Sequence, residues 1–571
     1  MRDLIAAIAL FLVTAAVILW QNSRLAVLWD LSYTLDTAYR ISLGQVLYRD
    51  LPFAHAPLTF LLQAIIMRLT GRVFFHHVLY AAIAGGIGSV LAWRILLRTL
   101  HGRWLHALLL AVPLTVLGIY SIFPHPSYDC DCTLSILFAV LLLQRLEPEG
   151  ADPTIPIRTT SWLQAFAAGA ALVLPLFFKQ NIGLPFLLIA LTVIVVLLLA
   201  SFSRSKPADI TPSRTALLAV LAGTGAALFT AALLLHFTVG LRNYVYWTVQ
   251  FAAQRRLPGF SAMLSVYAEP SLYWTLPCVA IALLLLHSRF IHLLWTRLLA
   301  LGLLAAPFIW TIVSLFLRGD ADDRASNLLA LWPLLLILAA VLTLYELRLG
   351  PSLRTLLPVI LLATIHGTML SQQLWGSTYA IWPLLLILIA GMIAFFARIN
   401  VPRIQPLTTA LTAIIAATLL LCGSLYMASE ERLSYSKLFD GPLVHATLPP
   451  LKGMAVRGPY LPAFEQLVRF AATDIPLNDA IILLPGEDPF YFATGRIPQF
   501  PVLLFDPATD PYSPQQIATL AHTRNVRWLI VKRSLQINED PTPQRQATLD
   551  LLGRDFTLYR QLDNYDIYRR H

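Results

Sequence analysis

The residues of this chain best suited to chemistry are carboxylates and cations set among aromatic and apolar neighbours. The stretch 30–62, DLSYTLDTAYRISLGQVLYRDLPFAHAPLTFLL, carries Asp30, Asp36, Arg40, Arg49, Asp50 and His55 between two apolar segments. The case for a functional role is best for Asp36, because it sits among aromatic and apolar residues and not in a charge run; Asp30 and Asp50 are its fallbacks. Asp129 and Asp131 form a second acidic pair behind Ser127, a good N-cap, so both fall in the first turn of a helix. Residues two apart on a helix point about 200° from each other, so at most one of the two faces a given cavity. Lys179, in LPLFFKQNIGLP, offers a compact ammonium suited to a phosphate or pyrophosphate. Arg318 and Arg324, flanking Asp320, Asp322 and Asp323, offer the same charge with bidentate geometry. His55 and His125 are the histidines placed to join carboxylates around a divalent ion, but no HExxH or CxxC spacing accompanies them, so the metal stays unassigned.

The elements that must position these groups are membrane helices. Of 571 residues, 57% are hydrophobic and only 13% charged, against about 25% charged in soluble domains. Thirteen segments are long and apolar enough to read as spans: 4–20, 74–93, 104–120, 127–146, 161–178, 183–202, 215–237, 271–287, 298–317, 327–345, 353–371, 378–396 and 408–427. The first reads as an uncleaved span, since its apolar run is long and lacks a small-residue cleavage site. With the N-terminus inside, fifteen Lys and Arg fall in inner segments against three, Lys179, Arg318 and Arg324, in the short outer loops. The positive-inside rule then fixes the orientation and puts the C-terminus outside. The same topology explains the net charge of +10 without a nucleic-acid partner.

The expected architecture is a polytopic α-helical membrane protein of about 13 transmembrane helices with a small C-terminal α/β extracytoplasmic domain. Residues 1–427 make the membrane part, with a first outer loop at 21–72, a second acidic loop at 121–132 and a long outer loop at 238–270. Within the first loop, 57–69 is apolar but short and reads as an interfacial helix. The loop 238–270, with Tyr244, Tyr246, Trp247, Arg255 and Arg256, has the composition of a lid or of another interfacial helix. Residues 428–571 alternate strand-like runs (480–484, 502–505, 526–531) with helix-like ones (462–472, 514–522, 543–552). Glu487 and Asp488, inside PGEDP at 485–489, read as turn residues. The four cysteines form no disulfide framework. There is no GxxxxGK[ST] or GxGxxG loop. An enzyme at the outer face, without nucleotides, needs its substrate delivered in the membrane.

At these residues the chain resembles the GT-C superfamily of integral-membrane glycosyltransferases, and more narrowly the bacterial relatives of the protein O-mannosyltransferases (glycosyltransferase family 39) and the lipid A aminoarabinose transferase. The similarity rests on DTAYR at 36–40, GQVLYRD at 44–50, HAPL at 55–58, RLTG at 68–71 and FKQNIGLP at 178–185. The chain departs from the Asp-Glu pair of the eukaryotic O-mannosyltransferases, having Asp36 and Thr37, which puts protein acceptors in doubt. The resemblance implies inverting transfer of a sugar from a polyprenyl-phosphate donor to a glycan, lipid or protein acceptor on the outer face of a bacterial inner membrane. It implies that Asp36 is the base or orients the acceptor, that Asp129 or Asp131 positions the acceptor or a divalent cation, and that Lys179 with Arg324 holds the phosphate. The alternative is a transporter or flippase of lipid-linked glycans, to which the prolines within spans are suited. Mid-span ionisable residues are few and no repeated halves are present, which favours the enzyme.

Overall fold

In the computed structural model, residues 1–147, 161–203, 212–256, 263–348, 350–370, 380–398, 404–433, 435–437, 441–506, 509–537 and 543–571 are described. The chain is a multi-pass membrane protein. Its first half runs through α1 (Arg2–Asn22), α2 (Leu28–Ser42), α3 (Leu58–Thr70), α4 (Phe74–Thr99), α5 (Trp104–Ala111), α6 (Leu114–Leu117), α7 (Tyr128–Gln144), α8 (Trp162–Ala171), α9 (Leu174–Phe178), α10 (Gln180–Ser203) and α11 (Arg214–Thr238). Five further apolar helices follow: Leu272–Leu286, Leu294–Leu317, Trp332–Leu347, Leu353–Met369 and Trp382–Phe396, and then Ile404–Ala428. Among the described residues, 7 helices are long and apolar enough to cross a membrane. They keep large apolar side chains such as Leu12, Phe229 and Phe316 exposed, as a lipid-facing surface requires.

The remaining expected spans coincide with shorter helices, and proline accounts for two of the breaks. Pro113 separates α5 from α6, and Pro175 stands in the first turn of α9. Proline supplies no N–H to the ladder and fits best where a new helix starts. Residues 371–379, which hold the expected ends of two spans, lie outside the described residues.

The first loop contains a helix, α2, in addition to the expected one at 57–69, which is α3. In α2, Leu28, Leu31, Leu35 and Ala38 recur at helical spacing and are all buried. Their partners lie in the C-terminal region, whose strands are β1 (Leu443–His445), β2 (Ala455–Arg457), β3 (Ala480–Leu484), β4 (Val526–Lys532), β5 (Phe556–Gln561) and β6 (Tyr565–Arg570). A four-stranded sheet has the order β3-β4-β6-β5, with β3 and β4 parallel and the other pairs antiparallel. Alternate residues of β3 serve two cores. Ile481 and Leu483 join the cluster of α2 and the helix Tyr460–Asp474, whereas Ala480, Ile482 and Leu484 pack with Ile517, Ala521 and Val526. The first-loop helix is thus part of the core of the C-terminal region.

The expected strands 480–484 and 526–531 and the three expected helices are present, and the hairpin β5–β6 is an addition. The run 502–505 is not a strand. Its neighbourhood is held from α2 instead, by the Arg40 guanidinium donating to the carbonyls of Phe500 at 2.7 Å and Val502 at 3.4 Å.

Candidate functional site

The site is built where α2, the N-terminus of α7 and the α9–α10 junction meet. Ser127 caps α7 by accepting from the Asp129 N–H, which sets both carboxylates in the first turn. They point apart, as helical rotation demands. Asp131 accepts from the hydroxyls of Thr59 at 2.6 Å, Tyr80 at 2.7 Å and Tyr120 at 2.5 Å, so it pins α3, α4 and the 121–132 loop together. Asp129 instead forms a buried ion pair with the Lys179 ammonium.

Lys179 occupies the single extended residue between α9 and α10. The sharp join depends on Gly183, since a Cβ there would come within 2.3 Å of Leu176 N and Pro175 C. The Lys179 ammonium also lies 5.0 Å from the Tyr128 ring centroid, and His55 packs on the other side of that contact network, 4.6 Å from the same ring. His55 Nδ1 is 2.7 Å from the Tyr33 hydroxyl. Gln180, next to Lys179, ties three segments: its side chain accepts from Ala56 N–H and donates to the carbonyls of Ala54 and Thr248. Through Thr248 and the edge-to-face pair Tyr48–Tyr244, the described part of the 238–270 loop is anchored over the first loop.

Asp30, in the first turn of α2, completes the group. It retains some exposure, and the Tyr435 hydroxyl, from the C-terminal region, donates to its Oδ2 at 2.6 Å. Loss of surrounding water pushes its carboxyl up to about 6; the Tyr435 hydrogen bond opposes the rise and the nearby Asp129 charge adds to it. Asp30 therefore sits close enough to Asp129 for their charges to interact, and Asp129 in turn pairs with Lys179.

Asp36 lies elsewhere. Six residues of α-helix turn through 600°, so Asp30 and Asp36 leave α2 about 120° apart. The Asp36 carboxylate is buried against the C-terminal region and accepts from the backbone N–H groups of Phe492 at 2.7 Å and Tyr491 at 3.3 Å. Burial raises its pKa to about 7, with these two hydrogen bonds opposing the rise. The rest of the DTAYR run serves the same contact: the Tyr39 hydroxyl donates to Gly495 O, and Arg40 lies over the Tyr491 ring as well as bonding residues 500 and 502. Ser32, facing the same way, donates to Gly486 O at 2.6 Å.

Asp50 is apart from both sets, paired with Arg49 and capping Val46 N–H near the surface. Arg318 and Arg324 bond each other's segment, Arg324 through the Arg318 carbonyl and Arg318 through the Asp323 carbonyl. Among the described residues neither one bonds Asp30, Asp129 or Lys179. Glu487 and Asp488 do stand in a turn, but they are buried ion-pair partners of Lys532, which the turn composition did not disclose.

Among the described residues no three His, Cys, Asp or Glu side chains come together in a way that could hold a metal ion. Among those residues the near partner of Asp129 is the Lys179 ammonium.

A helical membrane bundle, a helical first loop with an acidic start, a second acidic helix N-terminus and a C-terminal α/β region make up the GT-C fold. Two solved structures have this fold. One is ArnT from Cupriavidus metallidurans bound to undecaprenyl phosphate, with 12% identity, a TM-score of 0.50, and a match covering 98% of this chain and 97% of that one. The other is the apo oligosaccharyltransferase of Archaeoglobus fulgidus, with 12% identity, a TM-score of 0.51, and a match covering 100% of this chain and 74% of that one. No protein-family model and no curated protein matches the sequence.

Proposed function

We propose that the protein is a glycosyltransferase that moves a sugar from a polyprenyl-phosphate donor to a hydroxyl or amine acceptor at the outer face of a bacterial inner membrane, with the N-terminus cytoplasmic and residues 428–571 outside. The observation that carries this reading is the convergence of Asp30, Asp129 and Lys179 where α2, α7 and the α9–α10 join meet. The undecaprenyl phosphate bound to ArnT is a lipid of the proposed donor class.

In this reading Asp30 removes the acceptor's proton while the acceptor attacks the anomeric carbon. The bond from that carbon to the phosphate oxygen breaks, and the electron pair leaves on the phosphate. Lys179, oriented by Asp129, stabilises the charge growing there. A carboxylate with a pKa near 6 is ionised at neutral pH yet basic enough for the proton transfer. His55 and Tyr33 line the approach to Lys179. Asp131 and Asp36 act as positioning residues, the first for α7 and the second for α2. Arg318 and Arg324 are assigned no contact with the donor phosphate.

The reading is tested by mass spectrometry of membrane lipids and surface glycans from a strain lacking the protein. A polyprenyl-phosphate sugar should accumulate and one surface modification should disappear. If no donor accumulates, and the purified protein in vesicles moves lipid-linked glycan across the bilayer without covalent transfer, the chain is a transporter.

Tyr435 gives a sharper test of Asp30. Its hydroxyl favours the ionised carboxylate, so Tyr435→Phe raises the folded-state pKa of Asp30. The acidic limb of the pH–rate profile should then move to higher pH by about one unit, with little change in rate above pH 8. An unmoved limb would mean that Asp30 is not the group titrating.

A further inference from the structure

The end of α7 remote from the carboxylates closes one side of a second cleft. Asp131 and Gln144 are thirteen helical residues apart, so this cleft lies about 20 Å along the axis from the acidic group. It sits between the C-terminal ends of α4, α7 and the helices Trp332–Leu347 and Trp382–Phe396, and the N-terminal half of Leu353–Met369. Its cavity volume is about 80 Å³, a narrow cleft that opens at its rim.

Its walls change character with depth. Leu357, Leu361, Ile387, Leu388 and Met392 are buried and apolar, whereas Arg98, His101, Arg354 and Arg398 stand at the half-buried or exposed rim. Both carboxylates in the lining are committed. Glu147 Oε1 accepts from the backbone N–H groups of Leu353 and Arg354, and Glu346 pairs with Arg398. Arg98 donates to the carbonyls of Gln144 and Glu147. The Arg354 guanidinium bonds His101 Nε2, an imidazole and not an anion. Burial, then the charges of Arg354, Arg398 and Arg103, hold His101 down to about 4, so its ring is neutral at physiological pH. The Gln144 Oε1 atom is buried without a donor among the described residues. A cationic rim over apolar fissures, with an unused acceptor between them, matches an amphiphile with an anionic phosphate, hydroxyl-bearing headgroup and acyl chains.

We propose that this cleft is a binding site for an anionic phospholipid of the leaflet at that end of the bundle, with the phosphodiester at Arg354 and Arg98 and an acyl chain against Leu361 and Met392. A guanidinium binds phosphate oxygens through paired N–H donors. A zwitterionic lipid would bring its own cation to the cationic rim, and free phosphate would leave the apolar walls uncovered. The site is separate from the donor lipid's proposed place at the other end of α7.

Native mass spectrometry of the purified full-length protein, titrated with phosphatidylglycerol or phosphatidylcholine of matched chains, tests the proposal. Phosphatidylglycerol should be retained about tenfold more strongly, and Arg354→Gln should remove most of that preference. Arg348→Gln, changing an exposed arginine outside the cleft, should leave it intact. Equal retention of the two lipids by the wild-type chain, or an unchanged preference in Arg354→Gln, overturns the site. Should Arg354→Gln fail to fold, phosphatidylglycerol with a photoreactive acyl chain, applied to the wild-type protein, decides the matter. Labelling within residues 387–392 supports the site, and labelling confined to other segments refutes it.

Discussion

Asparagine at position 30 should slow sugar transfer by about 10²–10⁴-fold, the range that a positioned general base contributes. The substitution removes the proton acceptor while keeping the size of the side chain and its hydrogen bond from Tyr435. In the proposed mechanism the donor phosphate is held by Lys179, so KM should change far less than kcat. Asp36→Asn should behave differently. An asparagine can accept from only one of the Tyr491 and Phe492 N–H groups through its carbonyl oxygen, and its amide N–H faces the other. A buried donor left unsatisfied costs about 1–3 kcal/mol, so the expected change is a lower melting temperature and easier proteolysis of residues 428–571, with a smaller loss of rate. Single-turnover kinetics with a polyprenyl-phosphate sugar, alongside thermal unfolding, separates the two. If Asp36→Asn is as slow as Asp30→Asn and melts at the wild-type temperature, the base is Asp36.

The difference between these two aspartates marks what the sequence could disclose. The membrane helices were legible because apolar length is a local property, and so were the strands β3 and β4 and the N-cap at Ser127. The resemblance of 36–40 and 178–185 to a known superfamily likewise pointed to the right fold. The apolar and aromatic setting that singled out Asp36 is real, and in the structure it is a contact with residues 455 and 456 positions further along. Nothing local announces such a partner. One signal was present: Leu28, Leu31, Leu35 and Ala38 keep helical spacing through the first loop. With α2 recognised as a helix, the six-residue gap between Asp30 and Asp36 puts them about 120° apart, on different faces. Tyr435 and the paired character of Glu487 and Asp488 had no comparable signal, since each depends on tertiary contacts.

The C-terminal region also reaches the site through a buried charge cluster, and Lys532→Met should expose its importance. Lys532 Nζ lies 2.5 Å from Glu487 and 2.7 Å from Asp488, all three being buried, and the Tyr565 hydroxyl donates to the other Asp488 oxygen at 2.8 Å. Removing the ammonium takes the counter-charge from Asp488 and leaves Glu487 with Arg545 alone, and deleting one partner of a buried pair costs about 3–5 kcal/mol. The pH dependence should reverse. In the wild-type chain the neighbouring carboxylates raise the Lys532 pKa, so its contribution is complete below the unfolded value of about 10.4 and is lost only as pH rises through the higher folded one. In Lys532→Met the buried Asp488 carboxyl loses its counter-charge, its folded pKa lies further above the unfolded one, and stability is regained as pH falls from 8 toward 5. The triple variant Glu487→Gln, Asp488→Asn, Lys532→Met should recover much of the loss at pH 8, because the isolated charges are gone. The turn that carries this cluster also presents Gly486 O to Ser32 and leads into the N–H groups that hold Asp36. Loosening it should therefore release α2, and with it Asp30, so that transfer activity and the proteolytic resistance of residues 428–571 fall together. A Lys532→Met protein that melts normally at both pH values would show that the apolar core shared by α2 and β3 holds the two parts together without the cluster.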